Sequence, residues 1–262
     1  MTEPRRCLEG RFAQPLVVLP TFNEINSLPS VIVHVLAAVP EATILVVDDN
    51  SPDGTGAWAQ EHCRSERQLR VLHRRGKLGL GSAYREGFAW GLREGFGVLV
   101  EMDSDGSHAP PALPSLLAAL QDGADLVLGS RYVEGGSTPG WPAKRRLLSQ
   151  ASNAMARRAL GLSVADATSG YRAYRAEILH AIDVSSVASD GYAFQVEMLW
   201  RVSRTGGRIA EVPIAFRDRL TGISKISRQE VCLAALTLLR LRRAAKRSSM
   251  VAPKPRPVEA QA

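Results

Sequence analysis

In the stretch LVEMDSDGSHAPP, residues 99–111, two aspartates, Asp103 and Asp105, stand one residue apart directly after an apolar run. Like charges at the mouth of a buried strand repel unless a cation sits between them. An Asp-x-Asp in that place offers hard oxygen ligands to Mg2+ or Mn2+, with water and substrate phosphates completing the shell. Taken alone, the motif is better read as a pair of solvated turn aspartates, or as Asp105 starting a turn with Gly106. A second pair, Asp48 and Asp49, ends the run ATILVVDD. An acid at the end of the second strand of a nucleotide-binding sheet can accept from a ribose hydroxyl or a base N–H. The alternative is an Asx turn ahead of Pro52, which suits Ser51 and Asp53 better than Asp48. In RRGKLGLGSA, residues 74–83, glycines open a helix beside Lys77. Backbone N–H groups at a helix start favour phosphate, and tight turning accounts for the glycines as well. Later in the chain come Arg131, Arg145, Arg146, Arg172, Arg217, Arg219 and Lys225. Arg suits bidentate phosphate recognition and Lys acts as a point charge, so this grouping suggests a second phosphate, apart from the nucleotide's.

These residues need elements to position them. Apolar runs at 15–21, 42–49, 69–74, 96–103 and 124–131 alternate with helical patterns. Strands apolar throughout and separated by helices predict a parallel sheet covered on both faces, a doubly wound Rossmann-like α/β fold. Ligands of such sheets bind outside the carboxyl ends of the strands. TFNE, DDNSPDG, DSDGS and SRYVEGGS all fall at that edge. Four placements at one edge carry more weight than one motif. Past Arg131 the pattern changes. VEGGSTPGWP reads as a mobile loop, AKRRLLSQASNAMARRALGL as a basic helix, and DATSGYRAYRAEIL as a turn, a short strand and a helix start. GYAFQVEMLWRVSRTGG reads as a helix, RIAEVPIAF as a strand and RDRLTGISKIS as a polar loop.

The bulk numbers narrow the function class. The 262 residues carry a net charge of +7, and seven Lys/Arg against one Glu lie in 240–262, so the first 239 residues are near neutral. A basic tail on a neutral core argues against a nucleic-acid binder and for an anionic surface near the tail. Cys7, Cys63 and Cys232 are too scattered for a disulfide framework or a zinc site. No secretory h-region opens the chain, and VCLAALTLL is about half the roughly 20 residues of a membrane span. The segment 229–247 reads as an amphipathic basic helix able to lie at an interface, and 248–262 as a disordered tail.

The motifs VVLPTFNE, VVDDNSPDGT, KLGLGSAYREGF, MDSDGSH, GSRYVEGG, SGYRAYR, GYAFQVEM and EVPIAFRDRLTGISKIS, in that order, resemble the polyprenyl-phosphate (dolichol-phosphate) mannose synthases of glycosyltransferase family 2. The resemblance runs from about Leu16 to Arg228. It implies a GT-A catalytic domain over 15–228, with a nucleotide-binding half to about 130 and an acceptor-binding half beyond. It implies transfer of mannose from GDP-mannose to a polyprenyl phosphate, with inversion, at the cytoplasmic face of a membrane. By position, Pro20, Phe22, Glu24, Asp49, Lys77, Asp103, Ser104 and Asp105 would bind the donor. Phe22 stands where the family usually has Tyr, and Ser104 where it commonly has Ala. Asp103 and Asp105, with Ser107 through water, would hold Mg2+ or Mn2+. Arg131, Arg145, Ser169, Arg219 and Lys225 would hold the acceptor phosphate, and Asp105, Arg131, Arg219 and Lys225 would be the catalytic set. A membrane-embedded partner protein is an equally open route to the lipid. The alternatives are a relative using UDP-glucose and a non-catalytic nucleotide-sugar-binding protein. A nucleotidyltransferase would need a Gly-rich basic loop where this chain has PTFNE.

Overall fold

The computed structural model describes residues 14–217 and 237–243. Seven strands form one sheet: β1 (Leu16–Thr21), β2 (Thr43–Asp48), β3 (Leu69–His73), β4 (Val98–Glu101), β5 (Leu126–Ser130), β6 (Arg172–Arg175) and β7 (Ile209–Pro213), in the order β3-β2-β1-β4-β6-β5-β7. The sheet is parallel except for β6, which runs antiparallel to both β4 and β5. The sequence pattern predicts the parallel frame. The inserted antiparallel strand follows from RAYR reaching the sheet after a long excursion rather than through one crossover helix.

The central strands are buried along nearly their whole length because helices cover both faces. Against one face lie α1 (Leu28–Ala38), α2 (Thr55–His62) and α4 (Leu113–Gln121). Against the other lie α3 (Leu80–Arg93), α6 (Ala176–Ala181) and α7 (Gly191–Thr205), with α5 (Ala143–Leu160) at its margin. Each fully buried Leu, Val or Phe in these layers contributes about 1.5–3 kcal/mol. Gly87 and Gly91 bring α3 unusually close to the sheet, since a Cβ at either would overlap the side chains of Val18 and Leu16. That approach fixes the height of the α3 N-terminus over the strand ends.

The segment 133–142, predicted as a mobile loop, is tied into the fold. Ser137 bridges Ala215 in parallel fashion, and Trp141 is buried edge-on to Phe216. Its glycines serve turns, while the Trp supplies an anchor that the Gly/Pro-rich composition masks. No helix among the described residues is long and apolar enough to cross a membrane. The expected boundary near 228, most of the 229–247 helix, and the 248–262 tail lie outside the described residues. From the expected interfacial helix, residues 237–243 are described as helical. There Arg240 pairs with the buried Glu197 of α7, so this part of the segment is docked on the domain.

Candidate active site

The carboxyl ends of β1, β2 and β4 meet at one edge, as the strand order requires. β4 stops at Glu101, and the chain turns sharply through Asp103–Ser107. Two bonds hold that turn to β1: Met102 N–H donates to the Val18 carbonyl at 3.3 Å, and Ser104 Oγ to the Pro20 carbonyl at 2.7 Å. Ser104 is therefore a brace between β1 and the turn after β4. Asp105, buried, accepts from the Ser107 N–H at 2.9 Å. Ser107 Oγ is buried with no hydrogen-bond partner. An orphaned buried hydroxyl costs free energy unless something outside the protein uses it. Beside two carboxylates, it fits a hard cation that takes oxygen ligands. Among the described residues no three acidic, His or Cys side chains converge on one point.

His108 supports this turn from below and was missed in the sequence. It is buried, and its Nδ1 accepts the Asp103 N–H at 3.0 Å. That bond assigns the proton to Nε2, which faces the Asp103 carboxylate 3.9 Å away. Burial pulls the imidazole below its ordinary value, favouring the neutral form. The ring stacks on Tyr171 at 4.9 Å and meets Phe216 edge-on. Only its place three residues past Asp105 could have flagged it. Under the turn, Glu101 is fully buried and its carboxyl is pushed up to about 7 by burial, against the pull of Arg172.

The β2 edge is more tightly committed than expected. Asp48 accepts from Thr21 Oγ1 at 3.0 Å, Ser51 N at 3.1 Å and Ser51 Oγ at 2.5 Å. The Asx turn thus belongs to Asp48, where the sequence favoured Ser51 and Asp53. Asp53 makes its own cap on Thr55 and ties down Ile25 N–H. Asp49, expected against the guanosine, is paired with the buried Arg74 at 2.5 Å and accepts the Leu78 N–H at 3.2 Å. It organises the 74–80 loop. Burial still holds its carboxyl above the ordinary value despite Arg74.

That loop presents Lys77, whose Nζ sits 4.4 Å from the centroid of the Phe22 ring. Phe22 and Lys77 thus come together, and the half-buried Pro20 and Glu24 lie close to Phe22 in the chain. Glu24 accepts from Ser27 Oγ at 2.7 Å. The start of α3, expected to favour phosphate, is occupied from within. The Asp190 carboxylate caps the Gly81 N–H, and a Cβ at Gly79 or Gly81 would collide with Asp190. Asp190 comes from 109 residues away, so nothing local announces it.

The acceptor side is built on Arg131. Its Nε and Nη2 each lie 2.6 Å from Asp166, a bidentate pair buried beneath the surface, and Nη2 also reaches Thr168. Hydrogen bonding and charge hold Asp166 well into its ionised form and raise Arg131, in both cases against the cost of burial. Arg131, expected as a cation for phosphate, therefore has its charge largely answered by Asp166. Tyr132, Trp141 and Phe216 surround its guanidinium at 5.3–5.6 Å. Arg145 stacks on Trp141 at 4.0 Å. Arg131, Tyr132, Arg146 and Gln150 line an open cavity of about 470 Å³.

Two expected phosphate contacts belong to the frame instead. Ser169 Oγ donates to the Gly129 carbonyl at 2.5 Å and accepts the Tyr171 N–H, fixing the entry to β6. Arg172 is wholly buried and donates to the carbonyls of Ser169, Gln195 and Ala167. Arg219 and Lys225 lie outside the described residues. Arg217 N–H donates to the Ser107 carbonyl at 3.3 Å, which ties the end of this described segment to the Asp-x-Asp turn.

Comparison with known proteins agrees with this geometry. The model for glycosyl transferase family 2 matches residues 16–183. A polyprenol monophosphomannose synthase of Mycolicibacterium smegmatis is 52% identical over 213 residues, 81% of this chain and 80% of that protein. An undecaprenyl-phosphate mannosyltransferase of Micrococcus luteus is 53% identical over 212 residues, 81% of this chain and 87% of that protein. Glucosyl-3-phosphoglycerate synthase from Mycobacterium tuberculosis, crystallised with Mn2+, UDP-glucose and phosphoglyceric acid, superposes with a TM-score of 0.65 at 24% identity. The superposition covers 90% of this chain and 82% of that one. At that identity the likeness speaks for the fold, a GT-A architecture. A mostly parallel sheet with an Asp-x-Asp turn at its switch edge, and a family match over most of the described chain, place this protein in glycosyl transferase family 2.

Proposed function

We propose that this chain transfers mannose from GDP-mannose to a polyprenyl phosphate, giving polyprenyl-phosphate mannose with an inverted anomeric centre. The observation that carries this reading is the 52% identity, over four fifths of both chains, to a polyprenol monophosphomannose synthase. The residues of the site support a mechanism. The acceptor phosphate is an oxyanion at neutral pH, so no strong general base is needed, and the neutral buried His108 is not placed to act as one. What the protein must do is hold two anionic groups in line.

Asp103 and Asp105, with the orphaned Ser107 hydroxyl, would hold Mg2+ or Mn2+. Bound there, a divalent cation would act as a Lewis acid that neutralises the departing diphosphate. Phe22 and Lys77 would flank the nucleoside, with the ring giving a stacking face and the ammonium a charge. The Asp48 and Asp49 networks keep the two loops in register. Arg131, locked on Asp166, would orient rather than neutralise the acceptor, within an aromatic wall of Tyr132, Trp141 and Phe216. Arg146, which lines the cavity, and its neighbour Arg145, stacked on Trp141, would meet the acceptor phosphate. By the family resemblance, Arg219 and Lys225 would add positive charge at the acceptor phosphate.

The test is transfer of labelled mannose from GDP-mannose to a short polyprenyl phosphate, with Mg2+, Mn2+ or EDTA, and UDP-glucose in parallel. Metal-dependent labelling of the lipid from GDP-mannose is expected. Labelling from UDP-glucose alone would overturn the donor. An α-linked product from α-linked donor would overturn direct displacement.

A further inference from the structure

The segment 187–190, just ahead of α7, joins parts of the molecule that are distant in sequence. Ser189 is buried, and its carbonyl accepts from Arg85 Nη1 of α3 at 3.0 Å. The Asp190 carboxylate accepts the Gly81 N–H at the start of α3 and the Gly191 N–H, at 2.8 Å, at the start of α7. One carboxylate thus answers orphan N–H groups of two helix ends. A Cβ at Gly81 would lie 2.8 Å from the Ser189 carbonyl oxygen and 2.9 Å from Asp190, so the close fit requires glycine there.

On its other side Ser189 is held by the helical segment 237–243. Arg240 Nη2 donates to Ser189 Oγ at 2.9 Å and to the Glu197 carboxylate. Glu197 is buried, and it also accepts from the Ser189 hydroxyl and, at 3.3 Å, from the Ser189 N–H. Leu241, next to Arg240, is buried, so the segment is seated on the domain. Arg201 already answers the Glu197 charge, through Nε at 3.1 Å and Nη2 at 2.8 Å. Charge balance alone therefore leaves a second arginine unexplained. What Arg240 adds is the bond to Ser189.

From α3 the contacts continue to the donor side. The 74–80 loop is pinned at its first end by Arg74, which pairs with Asp49. At its second end it is pinned by Asp190 on Gly81. Between the two lies Lys77, over the Phe22 ring. We propose that Asp190 is a positioning residue for this loop and that Arg240 acts on the loop through Ser189 and Asp190. The packing of 237–243 against α7 is then read out as affinity for the nucleotide donor. This deepens the reading that Phe22 and Lys77 flank the nucleoside, and rests on it for its purpose. The clamp itself is tested with no donor present.

The experiment uses the full chain and two readouts. The first is amide hydrogen exchange of the free protein. The Leu78 N–H, bonded to Asp49 away from the Gly81 contact, reads the transmitted effect. Arg240→Gln and Asp190→Ala should each speed its exchange several-fold, while amides of β2 exchange as in the wild type. The second is steady-state transfer. Asp190→Ala should raise the KM for GDP-mannose about threefold with kcat nearly unchanged, the size expected if Lys77 is misplaced. Arg240→Gln should raise it about twofold. The two together should do no more than Asp190→Ala alone, because they act in series. Asp190→Asn, which keeps the acceptor oxygen, should restore the wild-type KM. Unchanged Leu78 exchange in Arg240→Gln overturns the proposal, as does a double variant whose KM is the product of the two single effects. Faster exchange in β2 as well, with kcat falling at unchanged KM, would mark a general loosening of the fold and also overturn it. Loss of transfer in every form, with Leu78 exchange still faster in both variants, would count against the mannosyltransferase reading and leave the clamp standing.

Discussion

The two halves of the site hold their charged groups in different ways. On the donor side, Asp48, Asp53 and Asp105 each accept a backbone N–H from two or three residues on, and Asp49 reaches further, to Arg74 and Leu78 in the loop it organises. On the acceptor side, the buried charges are held across the chain: Arg131 by Asp166, 35 residues on, and Arg172 by carbonyls up to 23 residues away. The donor edge is a set of short local turns at strand ends, tied together by the Asp49–Arg74 pair. The acceptor wall is a single buried ion pair in an aromatic shell, hung on one inserted antiparallel strand. Losing one turn perturbs a loop, whereas losing one partner of the pair leaves a charge buried with nothing opposite it.

The largest functional effect belongs to the Asp-x-Asp turn. Asp105→Ala should lower mannose transfer by roughly 10²–10³-fold or more with little change in melting temperature. Asp166→Ala should show the opposite profile. It strands the Arg131 guanidinium and should cost about 3–5 kcal/mol of stability in denaturant unfolding. The matching change on the donor side, Asp49→Ala, should cost less, about 1–3 kcal/mol, because Arg74 keeps Glu86 and Ser82 as partners. Equal losses for the two would erase the contrast between the halves.

pH gives a second contrast. Asp166 is held below its ordinary value, so its contribution is full above the usual Asp range and is lost as pH falls below about 4. Glu101, raised to about 7, contributes in the other sense: its share is full below the usual Glu range and is lost as pH rises through about 7. Glu101→Gln should therefore flatten the decline in melting temperature between about pH 4.5 and 7 and leave the loss below about pH 4 intact. The smallest effect is expected at the Phe22–Lys77 contact. Lys77→Ala should raise the KM for GDP-mannose a few-fold with kcat nearly unchanged, as suits a cation–π contact of about 0.5–1 kcal/mol.

The same division governs how much could be read from the sequence. The strands, their order of appearance and the polar strand ends of the first half were legible, because apolar runs and Asp/Gly/Pro turns are local signals. So was the position of the Asp-x-Asp turn at the end of β4. The partners were not. Nothing in SRYVEGG says that Arg131 faces Asp166 rather than solvent, and nothing in SGYRAYR says that Arg172 is wholly buried. A charged side chain at the end of a short strand looks the same whether it faces a ligand or its own backbone. The bracing roles of Ser104 and Ser169 were hidden for a related reason: a hydroxyl in a motif is as easily a brace as a contact. Trp141 shows the reverse, since the surrounding glycines and prolines concealed an anchored segment.

The central claim is that the Asp103–Ser107 turn seats a divalent cation together with the donor diphosphate. Titration of Mn2+ into the protein, followed by its electron paramagnetic resonance signal with and without GDP, tests it most directly. Mn2+ should bind weakly alone and at least about tenfold more tightly with GDP, as expected for a partial protein shell completed by phosphate oxygens. Asp105→Ala should abolish the GDP-dependent gain. Mn2+ binding that GDP does not strengthen, or a gain that survives Asp105→Ala, would contradict the account.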